Sequence, residues 1–344
     1  MRSGDRAAAF AAIGAWELGR MLRPAGGARR RPLSLALQGG GAFGAFTWGV
    51  LDRLLEEDGI GFDVLGGASA GAVNAVILAD GLRKGGAAAA REGLAHFWRR
   101  ASGMAPFAGL GRGAQKLALA AFEMSAPFLS PYQLNPLDLN PLRDILAETV
   151  DFAALRGASP VRLIVAATRV SDGCPRLFRE RELTLEAVLA SACLPFLHRA
   201  VEIEGEAYWD GGFSANPPLR QLVLESKARE VVLVELAAAA PAGAPRSSAA
   251  ISRRVKEFAV NGPLLRDIEA LDELRSLCRR EGVFRSALCR KLRRLTLHRI
   301  AAQEEFARLD PARALDLDWG FLTRLKDSGR RAAAGWLAGA ESAS

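Results

Sequence analysis

The sequence predicts an α/β protein with a mostly parallel central sheet and a mainly helical C-terminal extension. A short apolar strand at 34–38 runs into three glycines and a helix-like segment, and a second strand at 62–65 again runs into a glycine-rich turn and a helix. A later β-branched run at 161–170 has the composition of a buried strand. Strand, turn and helix repeated in this order are typical of a parallel sheet.

The remaining elements follow from the same kinds of pattern along the chain. Apolar residues at three- and four-residue spacing indicate helices, and short apolar runs bounded by glycine or proline indicate strands. The expected helices lie at 43–57, from the second glycine turn to about 82, at 86–126 with breaks at 103–113, at 184–193 and at 319–337, and a further helix begins behind Asn261 as N-cap. The other expected elements are a hairpin at 201–209 and strands at 230–236 and 295–300.

A change of composition divides the chain. The stretch 237–250 consists mainly of Ala, Pro and Ser and has no periodicity, which is typical of a linker. The division predicts a basic N-terminal arm or helix at 1–32, an α/β domain at 33–236, a linker at 237–250 and a mainly helical basic extension at 251–344.

The composition and charge exclude one class of protein and suggest a type of partner. Of the 344 residues, 50% are hydrophobic and 24% charged, so the chain can bury a core and does not belong to the disordered, highly charged class. The formal net charge is +8, and the basic residues concentrate at 1–31 and 251–300. Two basic ends suggest an anionic partner, either lipid head groups or nucleic acid, and the alternative is solvated arginine on helix faces.

The cysteine spacing and the hydropathy pattern indicate the cellular compartment of the protein. The four cysteines lie far apart and form no CxxC pair or His/Cys cluster, so neither a disulfide framework nor a metal site is predicted. No run of about eighteen apolar residues is present, so no transmembrane helix is predicted. We expect a cytoplasmic protein without a metal, and we leave peripheral membrane contact through the basic ends open.

A candidate nucleophile lies in the second glycine turn. Gly67-Ala68-Ser69-Ala70-Gly71 is a GxSxG motif between a predicted strand and a predicted helix. A serine at such a turn is exposed and strained, and the N-terminus of the helix favours alkoxide character on its hydroxyl. Alone, the motif fits a glycine-rich turn with a serine N-cap equally well.

The first glycine run supplies candidate oxyanion donors. Serine attack on an ester creates a tetrahedral oxyanion, and Gly39, Gly40 and Gly41 offer backbone N–H groups without side chains beside the strand that ends at Ser69. With Gly44, the run also fits the GxGxxG pattern of dinucleotide sites. Such sites need an acid at the end of the second strand, and none stands there, so no nucleotide cofactor is predicted.

A serine nucleophile needs a base, and the sequence leaves two candidates open. Asp210 ends a predicted strand and is followed by Gly211 and Gly212, a pattern that also fits an Asp-Gly turn. His298 would complete the chain order Ser, Asp, His of an α/β-hydrolase triad, but it lies in a strand-like alternation. His96 and His198 are interpreted as structural.

Taken together, these motifs resemble the patatin-like phospholipase family over about residues 33–236. The resemblance implies a three-layer α/β/α fold and lipid acyl hydrolysis by a Ser–Asp dyad without histidine, on a phospholipid or other fatty acyl ester and without cofactor or nucleic acid. The residues that carry it are the run GGGAFG ending at Gly44, the motif around Ser69 with Gly67 and Gly71, the segment Ala190 to Pro195, the run Asp210-Gly211-Gly212, and Asn216-Pro217. It implies Ser69 as nucleophile, Asp210 as base and Gly39, Gly40 and Gly41 as the oxyanion hole.

The sequence departs from the family pattern at one position. Many members carry arginine at the fifth position of the glycine motif, where this chain has Phe43. The oxyanion hole would then depend on backbone amides alone. The stretch 130–136 and the Arg-rich tail resemble a bacterial subgroup of the family, and a membrane-associated scaffolding protein with a residual hydrolase core is the alternative function.

Overall fold

The computed structural model describes residues 30–104, 130–236, 243–280, 286–301, 306, 309 and 311–342. Most of the expected arm at 1–32, the later part of the helical stretch 86–126 and the first part of the expected linker lie outside the described residues. Within the described part of the chain, no helix is long and apolar enough to cross a membrane.

A single eight-stranded sheet forms the centre of the molecule, in the order β5-β6-β3-β2-β1-β7-β8, with β4 paired to β3. The strands β3, β2, β1, β7 and β8 run parallel, and β4, β5 and β6 add antiparallel pairs. This confirms the α/β class with a mostly parallel sheet. The strands are β1 Arg31–Leu37, β2 Ile60–Ala68, β3 Arg162–Arg169, β4 Pro175–Arg179, β5 Val201–Ile203, β6 Glu206–Asp210, β7 Glu230–Glu235 and β8 Thr296–Ala301.

Helices connect and cover these strands. The second helix spans Ala70–Ser102, but the backbone of Gly85 and Gly86 is not helical, so its first part ends close to the expected residue 82 and a second part follows the kink. The helices are α1 Gly44–Leu54, α2 Ala70–Ser102, α3 Pro131–Leu134, α4 Pro141–Thr149, α5 Phe152–Ala158, α6 Leu185–Ser191, α7 Leu219–Glu225, α8 Ser248–Arg280, α9 Ala287–Arg294 and α10 Trp319–Ser342.

The side chains of β1 alternate between two apolar layers. Leu33, Leu35 and Leu37 lie in one buried cluster with residues of α1, α2 and α10. Ala36 lies in the other cluster with residues of α7, α8 and α9. Because successive side chains of a strand point to opposite faces, both faces of the sheet are covered by helices. The result is the three-layer α/β/α arrangement.

The chain after the expected linker packs into the same sheet. Strand β8 pairs in parallel with β7, and α10 packs on α1. The two helices approach so closely that a Cβ on Gly49 would collide with the Lys326 carbonyl oxygen, and a Cβ on Gly329 with that of Phe46. The C-terminal segment is therefore part of the core that supports the α/β domain.

Asn261 is not a helix N-cap, so that prediction was wrong. Helix α8 begins at Ser248, inside the expected linker, and continues through Asn261 and Pro263. The Asn261 side chain instead accepts a hydrogen bond from the Gln38 Nε2, at 3.2 Å. This contact joins α8 to the residue that precedes the glycine run.

Candidate active site

Ser69 lies at the junction of β2 and α2. Its backbone has φ 53° and ψ −128°, a positive φ that a non-glycine residue rarely adopts. Its N–H donates to the carbonyl oxygen of Ser191 at 3.1 Å and to the Ser191 Oγ at 3.0 Å. A Cβ on Gly71 would collide with the Leu37 carbonyl oxygen, and one on Gly67 would lie 2.5 Å from the Gly71 carbonyl carbon. The glycines of the motif thus permit a sharp turn that leaves Ser69 partly exposed.

Asp210 is the last residue of β6 and is almost completely buried, with 4% of its surface exposed. Its N–H donates to the Cys193 carbonyl oxygen at 2.8 Å, and its Oδ1 accepts the Gly212 N–H at 2.7 Å. A Cβ on Gly211 would collide with the Ala166 carbonyl oxygen, so the turn after Asp210 packs directly on β3. Among the described residues, no donor makes a well-formed hydrogen bond to the Asp210 Oδ2.

The carboxyl of Asp210 is unusually basic. Burial raises its pKa to about 6, although the Gly212 N–H and the Ser69 side chain act to lower it. The short segment from Ser191 to Cys193 accepts the backbone N–H groups of both Ser69 and Asp210, so the serine that acts on this pKa lies near the carboxyl. No described Arg, Lys or His is among the groups that act on this pKa. The two candidate residues, 141 positions apart in the chain, are therefore brought together.

The glycine run lies beside Ser69, but its three amides have different surroundings. Gly39 is buried, and its N–H donates to the Asn216 Oδ1 at 2.7 Å. A Cβ on Gly39 would lie 2.8 Å from the Ser69 Cβ, so the run passes directly next to the serine. Gly40 and Gly41 are partly exposed, and neither N–H donates to another described residue. Of the three amides, these two are available to bind a ligand.

The C-terminal segment packs against this run. The Phe43 ring lies 5.4 Å from that of Phe306 and 6.3 Å from that of Phe321, both edge-on. Gly41 has φ 57°, and a Cβ there would collide with the Ala314 carbonyl oxygen. The aromatic residue at position 43, where the resembling family often has arginine, is thus part of an aromatic cluster with the C-terminal segment.

Two buried asparagines hold the site together. Asn216 joins Gly39 to α8, because its Nδ2 also donates to the Val260 carbonyl oxygen at 3.4 Å. Asn74 donates to the Gly44 carbonyl oxygen at 3.1 Å and accepts from the Trp98 Nε1 at 3.1 Å. Asn74 was missed from the sequence, although a lone amide in the apolar run of α2 is a recognisable signal for a buried polar contact.

None of the three histidines is among the groups that act on the Asp210 carboxyl. His298 lies on β8, three strands from β2 or roughly 14 Å at the usual strand spacing. Its Nε2 lies 3.0 Å from the Glu230 Oε2, and its ring packs on Trp336. His96 is exposed on α2, and burial lowers the pKa of His198, with Asp138 acting to raise it. The triad alternative that used His298 was therefore wrong.

Among the described residues, neither potential metal ligands nor the apolar residues of α1 extend this site. Within the described ranges, no group of His, Cys, Asp or Glu could hold a metal ion. Phe46 and Trp48 are buried in the core, with 0% and 2% exposure, so they do not form a lipid-facing surface.

Comparisons with known proteins connect this site to one family. A family model described as patatin-like phospholipase matches residues 35–223, which is more than half of the chain. No curated protein matches the sequence at a significant level. Among solved structures, VipD from Legionella pneumophila is similar at 17% identity and a TM-score of 0.36, over 91% of this chain and 73% of that one. At that TM-score, the likeness carries no conclusion.

Proposed function

Because this chain belongs to the patatin-like phospholipase family, we propose that it is a serine lipid acyl hydrolase that works through a Ser69–Asp210 dyad. One observation carries the proposal: a partly exposed serine at a helix N-terminus faces a buried aspartate whose pKa is raised to about 6. A pKa near the working pH makes Asp210 a stronger base than an ordinary carboxylate while keeping it ionised at neutral pH.

In the first step, Asp210 takes the proton of the Ser69 hydroxyl through its Oδ2, the carboxylate oxygen that is without a well-formed partner among the described residues. The Oγ then attacks the ester carbonyl carbon and forms a tetrahedral oxyanion. The Gly212 N–H keeps the carboxylate oriented through Oδ1, so the proton goes to the other oxygen. The positive φ of Ser69 holds its hydroxyl towards the open side of the turn.

The oxyanion is bound by the N–H groups of Gly40 and Gly41, together with the N-terminus of α2. Gly39 was also expected to donate to the oxyanion, but we leave it out of the proposed donors because its N–H already donates to the Asn216 Oδ1. Gly39 then acts as the fixed end of the loop that presents the next two amides. Each such donor typically contributes about 2.7–4 kcal/mol to lowering the barrier.

Collapse of this intermediate releases the alcohol part of the ester, which takes the proton from Asp210 and leaves an acyl-Ser69 ester. Water then attacks the acyl carbonyl, with Asp210 accepting its proton and returning it to Ser69 as the fatty acid leaves. Phe213, which follows the two glycines after Asp210, is 36% exposed and provides an apolar surface close to the site. An apolar acyl chain fits such surroundings, and no cofactor takes part.

The test compares wild type with Ser69→Ala and His298→Ala. We expect Ser69→Ala to lose at least about 10³-fold in p-nitrophenyl ester hydrolysis, because the nucleophile is removed. His298→Ala, a control far from the pair, should retain most of the activity. Digestion of a lipid extract followed by product mass analysis identifies the substrate. Ser69→Ala with full activity would contradict the proposal, and an inactive wild type would favour the scaffolding alternative.

A further inference from the structure

The first half of α8 has an exposed apolar face. Ile251, Val255 and Phe258 are 46%, 60% and 63% exposed. Their spacing of four and three residues places them on one side of the helix. Leu265 is 62% exposed and lies on the same side of the helix, about two turns beyond Phe258. We call Ile251, Val255 and Phe258 the α8 stripe.

The α8 stripe leads to the candidate active site. The Val260 carbonyl oxygen accepts from Asn216, and Asn261 accepts from Gln38, the residue before Gly39. Phe258 lies only two residues before Val260, about 3 Å along the axis of a helix. Helix α8 also packs against the short helix Gly211–Phe213 that follows Asp210. The end of the α8 stripe therefore lies within a few residues of the contacts that α8 makes with Asn216 and Gln38, both of which adjoin the glycine run.

The charge around the α8 stripe is positive. Arg246, Arg253 and Lys256 are exposed, and Glu257 is the one acidic residue in the sequence from 243 to 262. Arg253 and Arg254 lie 3.8 and 3.3 Å from Glu257, so its charge is neutralised locally. Exposed apolar residues with basic neighbours are typical of a helix that lies on an anionic membrane surface.

A second exposed apolar group lies near the same site. Leu137, Leu139 and Phe196 are 78%, 66% and 67% exposed. Arg199 ties the two loops that carry them together, because its Nη2 donates to the Pro136 carbonyl oxygen at 2.8 Å. Phe196 follows shortly after the segment whose Cys193 carbonyl receives the Asp210 N–H. The segment after Cys193, which contacts Asp210, and helix α8, which contacts the residue before the glycine run, thus both carry exposed apolar side chains.

We propose that the α8 stripe binds the surface of an anionic lipid bilayer and holds the active site against its substrate. This inference builds on the proposed function, since a lipid hydrolase must draw an acyl ester from an aggregate into Ser69. Insertion of the apolar side chains supplies most of the binding, and Arg246, Arg253 and Lys256 add attraction to anionic head groups.

The first test removes the apolar side chains from the full chain. The variant Ile251→Ser, Val255→Ser, Phe258→Ser is compared with Leu224→Ser, Leu288→Ser, whose residues are 43% and 41% exposed on other helices. Co-sedimentation uses vesicles of phosphatidylcholine with and without phosphatidylglycerol. We expect the α8 variant to bind the anionic vesicles at least about tenfold more weakly than wild type, and the control variant to bind as wild type does.

The second test removes charge. Arg253→Gln with Lys256→Gln should weaken binding to phosphatidylglycerol vesicles by about fivefold per charge at low salt. Binding to neutral phosphatidylcholine should change little, and added salt should remove the difference from wild type. Equal losses on both kinds of vesicle would contradict the role of the charges.

The readouts separate this inference from the proposed function. Hydrolysis of a soluble p-nitrophenyl ester should be the same for wild type and both α8 variants, while hydrolysis of vesicle lipid should fall with binding. Undiminished vesicle binding by the apolar variant overturns the inference and leaves the proposed function intact. A wild type that binds vesicles through the α8 stripe but hydrolyses neither substrate refutes the proposed function alone.

If the apolar substitutions change only the oligomeric state, measured by sedimentation velocity, the α8 stripe is an interface between copies and the inference is wrong.

Discussion

Asp52 and Asp210 are two aspartates with the same small exposed fraction and opposite electrostatic surroundings. Each has 4% of its surface exposed. Asp52, on α1, lies 2.7 Å from the Arg91 Nε and 3.6 Å from the Lys326 Nζ, and it also pairs with Arg330. Asp210 has no cation among the described groups that act on it.

The difference shows in the pKa of each carboxyl. Burial acts to raise the pKa of Asp52, but Arg91, Lys326 and Arg330 together hold it below its ordinary value. Burial also acts to raise the pKa of Asp210, and only the Gly212 N–H and the Ser69 side chain act to lower it, so the pKa is raised to about 6. Burial alone therefore does not determine the role of an acid. The paired aspartate joins α1 to α2 and α10, and the unpaired one is available to accept a proton.

The largest expected effect is on catalysis. Asp210→Asn removes the base while keeping the size of the side chain, and we expect kcat for a soluble ester to fall by roughly 10³-fold. Asp52→Asn, the same substitution at an aspartate of equal exposed fraction, should keep the activity per folded molecule. Comparable losses in both variants, measured on protein whose folded fraction is known, would remove the functional distinction between the two acids.

The next effect is on stability and belongs to Asp52. Asp52→Asn removes the anion that Arg91, Arg330 and Lys326 share and leaves Glu56 as the partner of the two arginines, and we expect the free energy of unfolding to fall by about 3 kcal/mol. This value is at the lower end of the range for breaking a buried ion pair, because the side chains of the three cations are 25–40% exposed. Urea unfolding measures it, and a loss below about 0.5 kcal/mol would mean that solvent already screens the cluster.

A smaller stability effect of opposite sign is expected at Asp210. The pKa of its carboxyl is about 6 in the folded protein, against an ordinary value of 3.8 for the unfolded chain, so the folded state binds more protons between these values. Stability should therefore fall as the pH rises from about 4 to about 6, and Asp210→Asn should gain about 1–3 kcal/mol at pH near 8. The gain should shrink towards pH 4, where both side chains are neutral. Thermal melts at the two pH values check this, and a loss at pH near 8 would show that the carboxylate is compensated after all.

The smallest effect concerns the support of the glycine run. Asn216→Ala removes the acceptor of the Gly39 N–H, and the loop that presents Gly40 and Gly41 loses its anchor. We expect kcat to fall by about tenfold with little change in KM, because the loss is in transition-state binding. Affinity for a trifluoromethyl ketone, an oxyanion mimic, should fall in parallel. A rise in KM with unchanged kcat would instead indicate damage to substrate binding.

Much of the site was predictable because its signals are local. The strand, turn and helix around Ser69 and around Gly39 to Gly41 follow from apolar runs interrupted by glycine, and the structure has these elements with boundaries shifted by a few residues. The strand at 295–300 and the helix at 319–337 were also predicted, and the structure extends the helix from Trp319 to Ser342.

The remainder depends on contacts between distant parts of the chain. The pairing of Gly39 with Asn216 spans 177 positions, and no local pattern indicates it. Asn261 followed by Pro263 has the local form of a helix start, but α8 runs through both, and the Asn261 side chain contacts Gln38 instead of capping a helix. Strand β4 was not predicted, since its short sequence with Pro175 and two arginines has no apolar alternation.

Activation of Ser69 by Asp210 alone is the central feature of the proposed mechanism. Its most direct test is the rate at which a fluorophosphonate labels the protein as a function of pH, with the labelled residue identified by mass spectrometry. We expect one label on Ser69, a rate that rises with pH about a midpoint near 6, and the same profile in His298→Ala. A label on another residue, or a midpoint that disappears in His298→Ala, would contradict the mechanism.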